Sequence, residues 1–244
     1  MSQQKILITG ANNGLGYDLI KNLINDKSYK LIGIVNKNTR IKNILKKIDT
    51  IPLDLFKNDE IIKLNKSFKN HKIDTVIHCA GGGLGYRSNT ISKKKFEELM
   101  QLNFYSIFEI NKILISNKIR NNRLNIIHLG SLASTHSIAS IGYSASKATL
   151  ISYNKNLAHK FFKKKVITKL VIPGSFLSTN GSMQRLKKQK KHIFNRLEKN
   201  LTKKKMLKSN ELTPLFKFLF SEKSDVLTGS ILNATNLESL NNYS

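Results

Sequence analysis

The chain has 244 residues, 40% of them hydrophobic, with 42 Lys and Arg against 15 Asp and Glu, a formal charge of +27 and one cysteine. That length and apolar content can bury a full core, while the lone Cys79 excludes an internal disulfide framework and any multi-cysteine metal site, as suits a reducing compartment. The charge invites a nucleic-acid partner, but only Arg40, Arg87, Arg120, Arg123, Arg185 and Arg196 carry a guanidinium in a chain crowded with Lys, Asn and Ile, a compositional bias that differs from a surface built on the Arg fork, so no nucleic acid is expected.

Three prolines and no linker-like stretch point to one domain over residues 1–244. The opening Met-Ser-Gln-Gln-Lys runs straight into Ile6-Leu7-Ile8, leaving no room for a signal peptide, and no apolar run reaches the length of a membrane span, so a cytoplasmic protein without membrane contact is expected.

In chain order, strand-length apolar runs alternate with helix-period segments. Strands are predicted at Ile6–Thr9, Leu31–Val35, Thr50–Leu53, Thr75–Cys79, Asn125–Leu129, Val166–Ile172 and Leu227–Asn233. Helices are predicted at Gly14–Asn25, Arg40–Lys47, Asp59–Phe68, Lys93–Ser116, Tyr143–Phe162 and Glu211–Phe220. The alternation implies an α/β Rossmann-type doubly wound parallel sheet of about seven strands, with helices on both faces. Ser175 to Ser209 breaks the rhythm as a polar, basic insertion.

The first strand and helix are joined by Thr9-Gly10-Ala11-Asn12-Asn13-Gly14-Leu15-Gly16. Glycines at such a turn let the backbone approach a pyrophosphate, and the helix N-terminus offers unpaired N–H groups and a positive dipole end. At the end of the second strand stand Asn36, Lys37 and Asn38, with Arg40 nearby and no carboxylate where one would hydrogen-bond the ribose of NAD and repel the extra phosphate of NADP. Farther along, Tyr143 and Lys147 lie four apart, so on a helix they share a face and the ammonium can favour the phenolate.

The spacing TGxxxGxG resembles the short-chain dehydrogenase/reductase family in its compact form, and further family signatures follow in order. Asp54-Leu55 comes after the third strand, Cys79-Ala80-Gly81 stands where the family has Asn-Ala-Gly, and Asn103 lies on the long helix. Ser131 follows the fifth strand, Tyr143-Ser-Ala-Ser-Lys147 matches YxxxK, and Pro173-Gly174 ends the sixth strand. The resemblance implies an enzyme interconverting a carbonyl and an alcohol by hydride transfer with a nicotinamide cofactor, NADP(H) favoured over NAD(H). Tyr143 would be its general acid or base and Ser131 would bond the substrate oxygen. Lys147 would hold the nicotinamide ribose, and Asn103 a proton-relay water. Gly10, Asn12, Asn13, Gly14, Leu15, Gly16, Asn36, Lys37, Asp54, Leu55, Cys79, Ala80, Gly81, Pro173 and Gly174 become cofactor contacts together with Tyr143 and Lys147.

The resemblance also makes residues 175–209 a substrate lid. Between Gln184 and Lys208 it carries eleven Lys or Arg and one acid, Glu198, which reads either as the chain's general lysine excess or as recognition of a substrate that is anionic or linked to a carrier. Ile107, Ile110, Ile113 and Leu114 read as core or as a subunit face of a homodimer or homotetramer, and His78 and His128 as satisfied core histidines. No metal-ligand pattern is present. Two other readings keep the fold: a sugar or sugar-nucleotide reductase or dehydrogenase of polysaccharide synthesis, and a catalytically idle binding protein, against which the four catalytic residues argue.

Overall fold

The computed structural model describes residues 3–39, 42–69, 72–88, 90–119, 122–201 and 203–235. Seven strands form one parallel sheet: β1 (Gln4–Thr9), β2 (Tyr29–Val35), β3 (Asp49–Pro52), β4 (Thr75–His78), β5 (Leu124–Leu129), β6 (Val166–Pro173) and, last in the chain, β9 (Ile231–Ala234). Their order across the sheet is β3-β2-β1-β4-β5-β6-β9. Helices α1 (Gly14–Leu23), α2 (Asn58–Lys69), α3 (Lys93–Met100), α4 (Ser106–Ser116), α5 (Ile141–Phe161) and α8 (Ser209–Phe220) connect them.

The strands are rich in β-branched residues because both sheet faces are covered, as a parallel sheet requires. Alternate side chains feed two cores. Ile6 and Ile8 pack with Leu19, Leu23, Phe216 and Phe220 from α1 and α8, whereas Leu7 and Val76 pack with Ile61, Leu64, Ile110 and Leu157 from α2, α4 and α5.

Three predicted elements change. The described part of the helix expected at Arg40–Lys47 is a short 3-10 turn at Asn43–Lys47, and Arg40 itself lies outside the described residues. The long helix Lys93–Ser116 is interrupted by a π turn at Gln101–Tyr105. The last strand starts at Ile231, because Leu227 closes a 3-10 turn and Gly229, at φ +78°, redirects the chain. Ile107, Ile110, Ile113 and Leu114 are all buried within the chain and belong to its core; α4 instead exposes Phe108, and the π turn exposes Tyr105.

The 175–209 insertion is more ordered than its composition suggests. It contains α6 (Ser182–Gln189), α7 (Lys191–Asn200) and two short parallel strands, β7 (Phe176–Leu177) and β8 (Leu207–Lys208). Phe194, Leu201 and Met206 are buried in a small core of its own, flanked by Leu177, Met183 and Leu186. The apolar residues are sparse but helically spaced, which lets a strongly basic segment still bury one stripe.

In the middle of β6, Lys169 is fully buried. Its ammonium donates to Asn125 Oδ1 at 3.0 Å, Leu219 O at 3.2 Å and Ser224 Oγ at 2.7 Å, tying the sheet to the end of α8. Burial, reinforced by Arg123 and opposed by Asp225, pushes its pKa down to about 8. The unfolded chain holds that proton up to the ordinary lysine value near 10.5, so folding releases it between the two, and this group adds stability as pH rises from about 8. Urea midpoints measured from pH 7 to 10 should therefore rise more steeply in the native protein than in Lys169→Met; parallel slopes would contradict the assignment.

Candidate active site

β2 lies to one side of β1 and β4 to the other, and above their carboxyl ends runs a cleft of about 1260 Å³, the place where doubly wound sheets take ligands. Its floor is the glycine turn. Gly10 sits at φ +68°, and a Cβ there would lie 2.9 Å from the Ala80 backbone; one on Gly16 would lie 2.7 Å from Gly10 O. Thr9 Oγ1 locks the approach by accepting from Ala80 N at 3.0 Å.

Asn13 makes no side-chain cap on α1, so the first turn keeps donors for an anion. Asn12 is buried, with Oδ1 accepting from Asn36 N at 2.6 Å and Nδ2 unpartnered. An orphaned amide donor in the wall of this cleft fits a dinucleotide ribose or phosphate oxygen. Gly14 behaves differently: its N–H donates to Thr179 O at 2.7 Å and is taken up by the protein itself.

At the far end, Asn36 and Thr39 line the cleft, together with Leu53, Leu55 and the half-exposed Phe56. Asp54 does not line it; its carboxylate accepts from Phe56 N at 3.0 Å. Lys37 is likewise turned away and paired with Glu60, whose other oxygen accepts from Asp54 N at 3.1 Å. A carboxylate from α2 thus neutralises the lysine that the sequence offered to an NADP phosphate. A lysine that sequence reasoning missed stands against the glycine turn, although it is not among the residues that line the cleft. Lys42 donates from Nζ to Asn12 O at 2.7 Å and Asn13 Oδ1 at 3.2 Å, 3.9 Å over the Tyr17 ring. Burial lowers its proton affinity, opposed by Asp18. In so lysine-rich a sequence nothing marks it out.

Cys79, Ala80 and Gly81 follow β4 into the cleft as expected. Burial pushes the Cys79 thiol up to about 12, leaving it neutral and unreactive. Beyond it, Gly82 to Arg87 form a wall that the sequence reading did not single out, with Leu84 and Gly85 both at positive φ. The consecutive Gly81-Gly82-Gly83 was the available signal.

Asn103 is fully buried in the π turn. Its Oδ1 accepts from Gly82 N at 2.9 Å, and its Nδ2 donates to Gly82 O at 3.0 Å and Leu99 O at 2.9 Å. Its side chain therefore clamps the glycine wall, and π turns are frequent where such local reshaping serves a site. A methyl group on Gly81 would lie 2.8 Å from Asn103 Oδ1 and 3.0 Å from Lys147 Nζ, so both polar ends converge on that glycine.

Ser131 ends β5 and caps the next 3-10 turn, its Oγ accepting from Ala133 N at 3.2 Å. Tyr143 and Lys147 sit in the first turns of α5 and face the same cleft. Lys147 is buried, donates to Leu129 O at 2.9 Å, and has its pKa pushed down to about 8 by burial. The expectation that Lys147 favours the Tyr143 phenolate is not what this geometry gives. Burial raises the tyrosine pKa, and Ser131 beside it opposes the rise with a smaller effect. Pro173 and Gly174 also line the cleft, whereas His136 turns to Thr135 and Leu132. Of the basic residues counted in the lid, only Arg185 lines the cleft, with Arg87 from the glycine wall; Lys187, Lys188, Lys190 and Lys191 are exposed elsewhere.

Among the described residues no cluster of His, Cys, Asp and Glu could hold a metal, and no helix is long and apolar enough to cross a membrane.

The sequence model of the short chain dehydrogenase family matches residues 4–190. Curated relatives include the 3-oxoacyl-[acyl-carrier-protein] reductases of Buchnera aphidicola subsp. Schizaphis graminum, 29% identical with 96% of each chain covered, and of Haemophilus influenzae, 24% identical with 93% of this chain and 94% of the relative covered. Among solved structures, a short-chain dehydrogenase/reductase family oxidoreductase from Burkholderia thailandensis superposes with TM-score 0.87 at 19% identity, covering 97% and 93% of the two chains. An actinorhodin polyketide ketoreductase with NADPH superposes with TM-score 0.86 at 16% identity, covering 96% and 97%. The glycine turn, the serine after β5 and the tyrosine and lysine of α5 stand in one cleft within the matched span, and the chain belongs to the short-chain dehydrogenase family as an NAD(P)-dependent oxidoreductase.

Proposed function

We propose that the protein is an NADP(H)-dependent carbonyl reductase whose substrate is a ketone presented on an acidic carrier, as in the 3-oxoacyl-[acyl-carrier-protein] reductases it resembles. The observation that carries the chemistry is the placing of Ser131, Tyr143 and Lys147 beside the Asn103-clamped glycine wall, at the end of a dinucleotide-sized cleft.

When bound, the dinucleotide supplies the hydride. The chain supplies the proton and the charge. With its proton affinity raised by burial, Tyr143 stays a neutral phenol at neutral pH and serves as the general acid of reduction. Ser131 lines the cleft beside that phenol and can donate to the oxygen on which charge develops. Among the described residues Lys147 is the one buried cation lining this part of the cleft, and at pH 7 it remains mostly an ammonium able to bond the nicotinamide ribose and stabilise negative charge. Asn103 fixes the wall against which Lys147 packs, and the proton-relay water assigned to it by family likeness belongs to the same reading. Tyr143→Phe should lower turnover by a factor on the order of 100 to 10,000 while leaving NADPH binding, read by fluorescence titration, nearly intact. Near-native turnover would make Tyr143 the wrong acid.

Preference for NADP(H) rests on the neutral Asn36 and on Lys42 beside the glycine turn, with Lys37 removed from the argument by Glu60. Lys42→Ala should weaken NADPH binding about tenfold, the scale of one charge-assisted hydrogen bond, and barely change NADH binding; Asn36→Asp should act in the same direction. Equal weakening of both dinucleotides by Lys42→Ala would remove Lys42 from cofactor choice.

Arg87 and Arg185 favour an anionic carrier over a neutral free ketone, since both line the cleft and both are exposed. Self-association as a homodimer or homotetramer and a cytoplasmic location belong to the same reading, Tyr105 and Phe108 being apolar surface available on the π turn and α4. The double variant Arg87→Ala/Arg185→Ala should raise KM for a carrier-bound ketone severalfold, and added salt should do the same to the native enzyme because exposed charges are screened. A small neutral ketone should show neither response; identical responses from both substrates would count against a carrier.

A further inference from the structure

Asp18 lies in the second turn of α1, on the helix that opens at the glycine turn, and is only 6% exposed. A buried carboxylate needs hydrogen-bond donors. Its donors come from two places far apart in the chain. Thr179 gives its backbone N–H to Oδ2 at 2.9 Å and its hydroxyl to Oδ1 at 2.5 Å, and Ser209, the first residue of α8, gives its hydroxyl to Oδ2 at 2.6 Å. Thr179 is where the chain enters the lid helices and Ser209 is where it leaves them. Both feet of the segment thus stand on one side chain, at the positive end of α8.

The same foot touches the dinucleotide turn directly. Thr179 O takes the Gly14 N–H at 2.7 Å, Asn180 Nδ2 donates to Asn13 Oδ1 at 3.3 Å, and Asn13 Oδ1 is also the acceptor of Lys42. Between the feet, the lid has its own buried core around Phe194, and at the feet themselves β7, just ahead of Thr179, pairs with β8, just ahead of Ser209. A body with an internal core and two adjacent attachment points takes its orientation from those points. Nothing in the chemistry of Tyr143, Ser131 or Lys147 uses Asp18.

We infer that Asp18 is a positioning residue that sets the lid on the dinucleotide cleft by gathering Thr179 and Ser209 onto one carboxylate. The inference rests on the proposed dinucleotide site. Thr179 and Asn180 sit on Asn13 and Gly14, so losing the carboxylate loosens the lid and the turn together, and cofactor affinity falls along with lid order. The reacting groups stay where they are.

Asp18→Asn keeps the shape but removes the charge and turns one of the two acceptor oxygens into a donor, so at least one of the three hydrogen bonds from Thr179 and Ser209 loses its acceptor. In this variant, trypsin should cut after Lys187, Lys188, Lys190 and Lys191 about tenfold faster than in the native protein. NADPH affinity by fluorescence titration should fall about tenfold, and KM for NADPH should rise with kcat at saturation held within twofold. The double variant Thr179→Val/Ser209→Ala, which leaves Asp18 in place and removes two of its three donors, should give the same pattern if Asp18→Asn folds poorly. A purely structural role would lower kcat and the melting temperature in step and leave the KM of the folded fraction unchanged, which would overturn the inference, as would native rates of lid cleavage in both variants. Failure of the native protein to bind NADPH or NADH would instead refute the dinucleotide reading, and faster lid cleavage in the variants would still support the anchoring of the lid.

Discussion

Where β1 meets β4, the backbone of Gly10 runs so close to Ala80 that no side chain fits between them. The contact holds together the two chain segments that bound the cleft, the glycine turn leading into α1 and the wall leading away from β4. Gly16 continues the constraint by bringing α1 down onto Gly10 O, which aims the first turn of the helix at the space above the sheet. The features around this end of the cleft inherit their positions from this approach: Asn12 and Asn13 from the turn itself, Cys79 and Gly81 from the partner strand, Lys147 and Asn103 from their packing against Gly81. An alanine at Gly10 would have to part β1 from β4 and so widen the cleft at its base.

Behind that floor the protein buries polar groups where a sheet usually carries hydrocarbon. His78 and His128 stack at 5.5 Å between ring centres, with Asn111 bridging them through its Oδ1 and Nδ2 and Asn154 holding the far nitrogen of His128. Burial pushes their pKa values down to about 3 and about 4, and Lys147 pushes both further in the same direction. The imidazoles are therefore neutral at any pH where the enzyme operates, and they furnish polar surroundings without a second positive charge. This matters for Lys147, already driven to about 8 by burial alone; a charged histidine nearby would drive it lower and cost the site its ammonium.

The sheet was legible in the sequence because its signals are local. Runs such as Lys5-Ile-Leu-Ile-Thr9 and Asn125-Ile-Ile-His-Leu129 are too apolar and β-branched to be anything but buried strands of a wound sheet, and glycines mark the turns between them. The candidate site residues stood out for a different reason, their spacing along α5 and their order along the chain, and the fold brings Ser131, Tyr143 and Lys147 to one cleft. What stayed hidden depends on contacts across long separations. Lys37 looked available until Glu60 folded beside it, and Lys42 looked ordinary until it came to rest against Asn12 and Asn13. The tyrosine pKa was misjudged for a related reason: spacing along a helix predicts which charges can meet, but desolvation depends on how much of the fold closes over the ring. The π turn at Gln101–Tyr105 has no local signature, because it is set by Asn103 reaching back to Gly82.

The charge of the chain shows how far composition and site can diverge. A formal +27 would suggest a cleft crowded with cations, yet among the described residues its lining holds only the cations Arg87, Lys147 and Arg185. Lys147 is buried and donates to Leu129 O, while the two arginines are exposed. Most of the remaining lysines face water, where exposed ion pairs and isolated charges contribute little to stability. A field spread over the whole surface can hasten the approach of an anionic partner, but it cannot tell that partner where to dock. Local discrimination falls to groups fixed at the cleft, and of the six arginines in the chain Arg87 and Arg185 line it, each a planar, multidentate donor that a diffuse field of lysines does not replace.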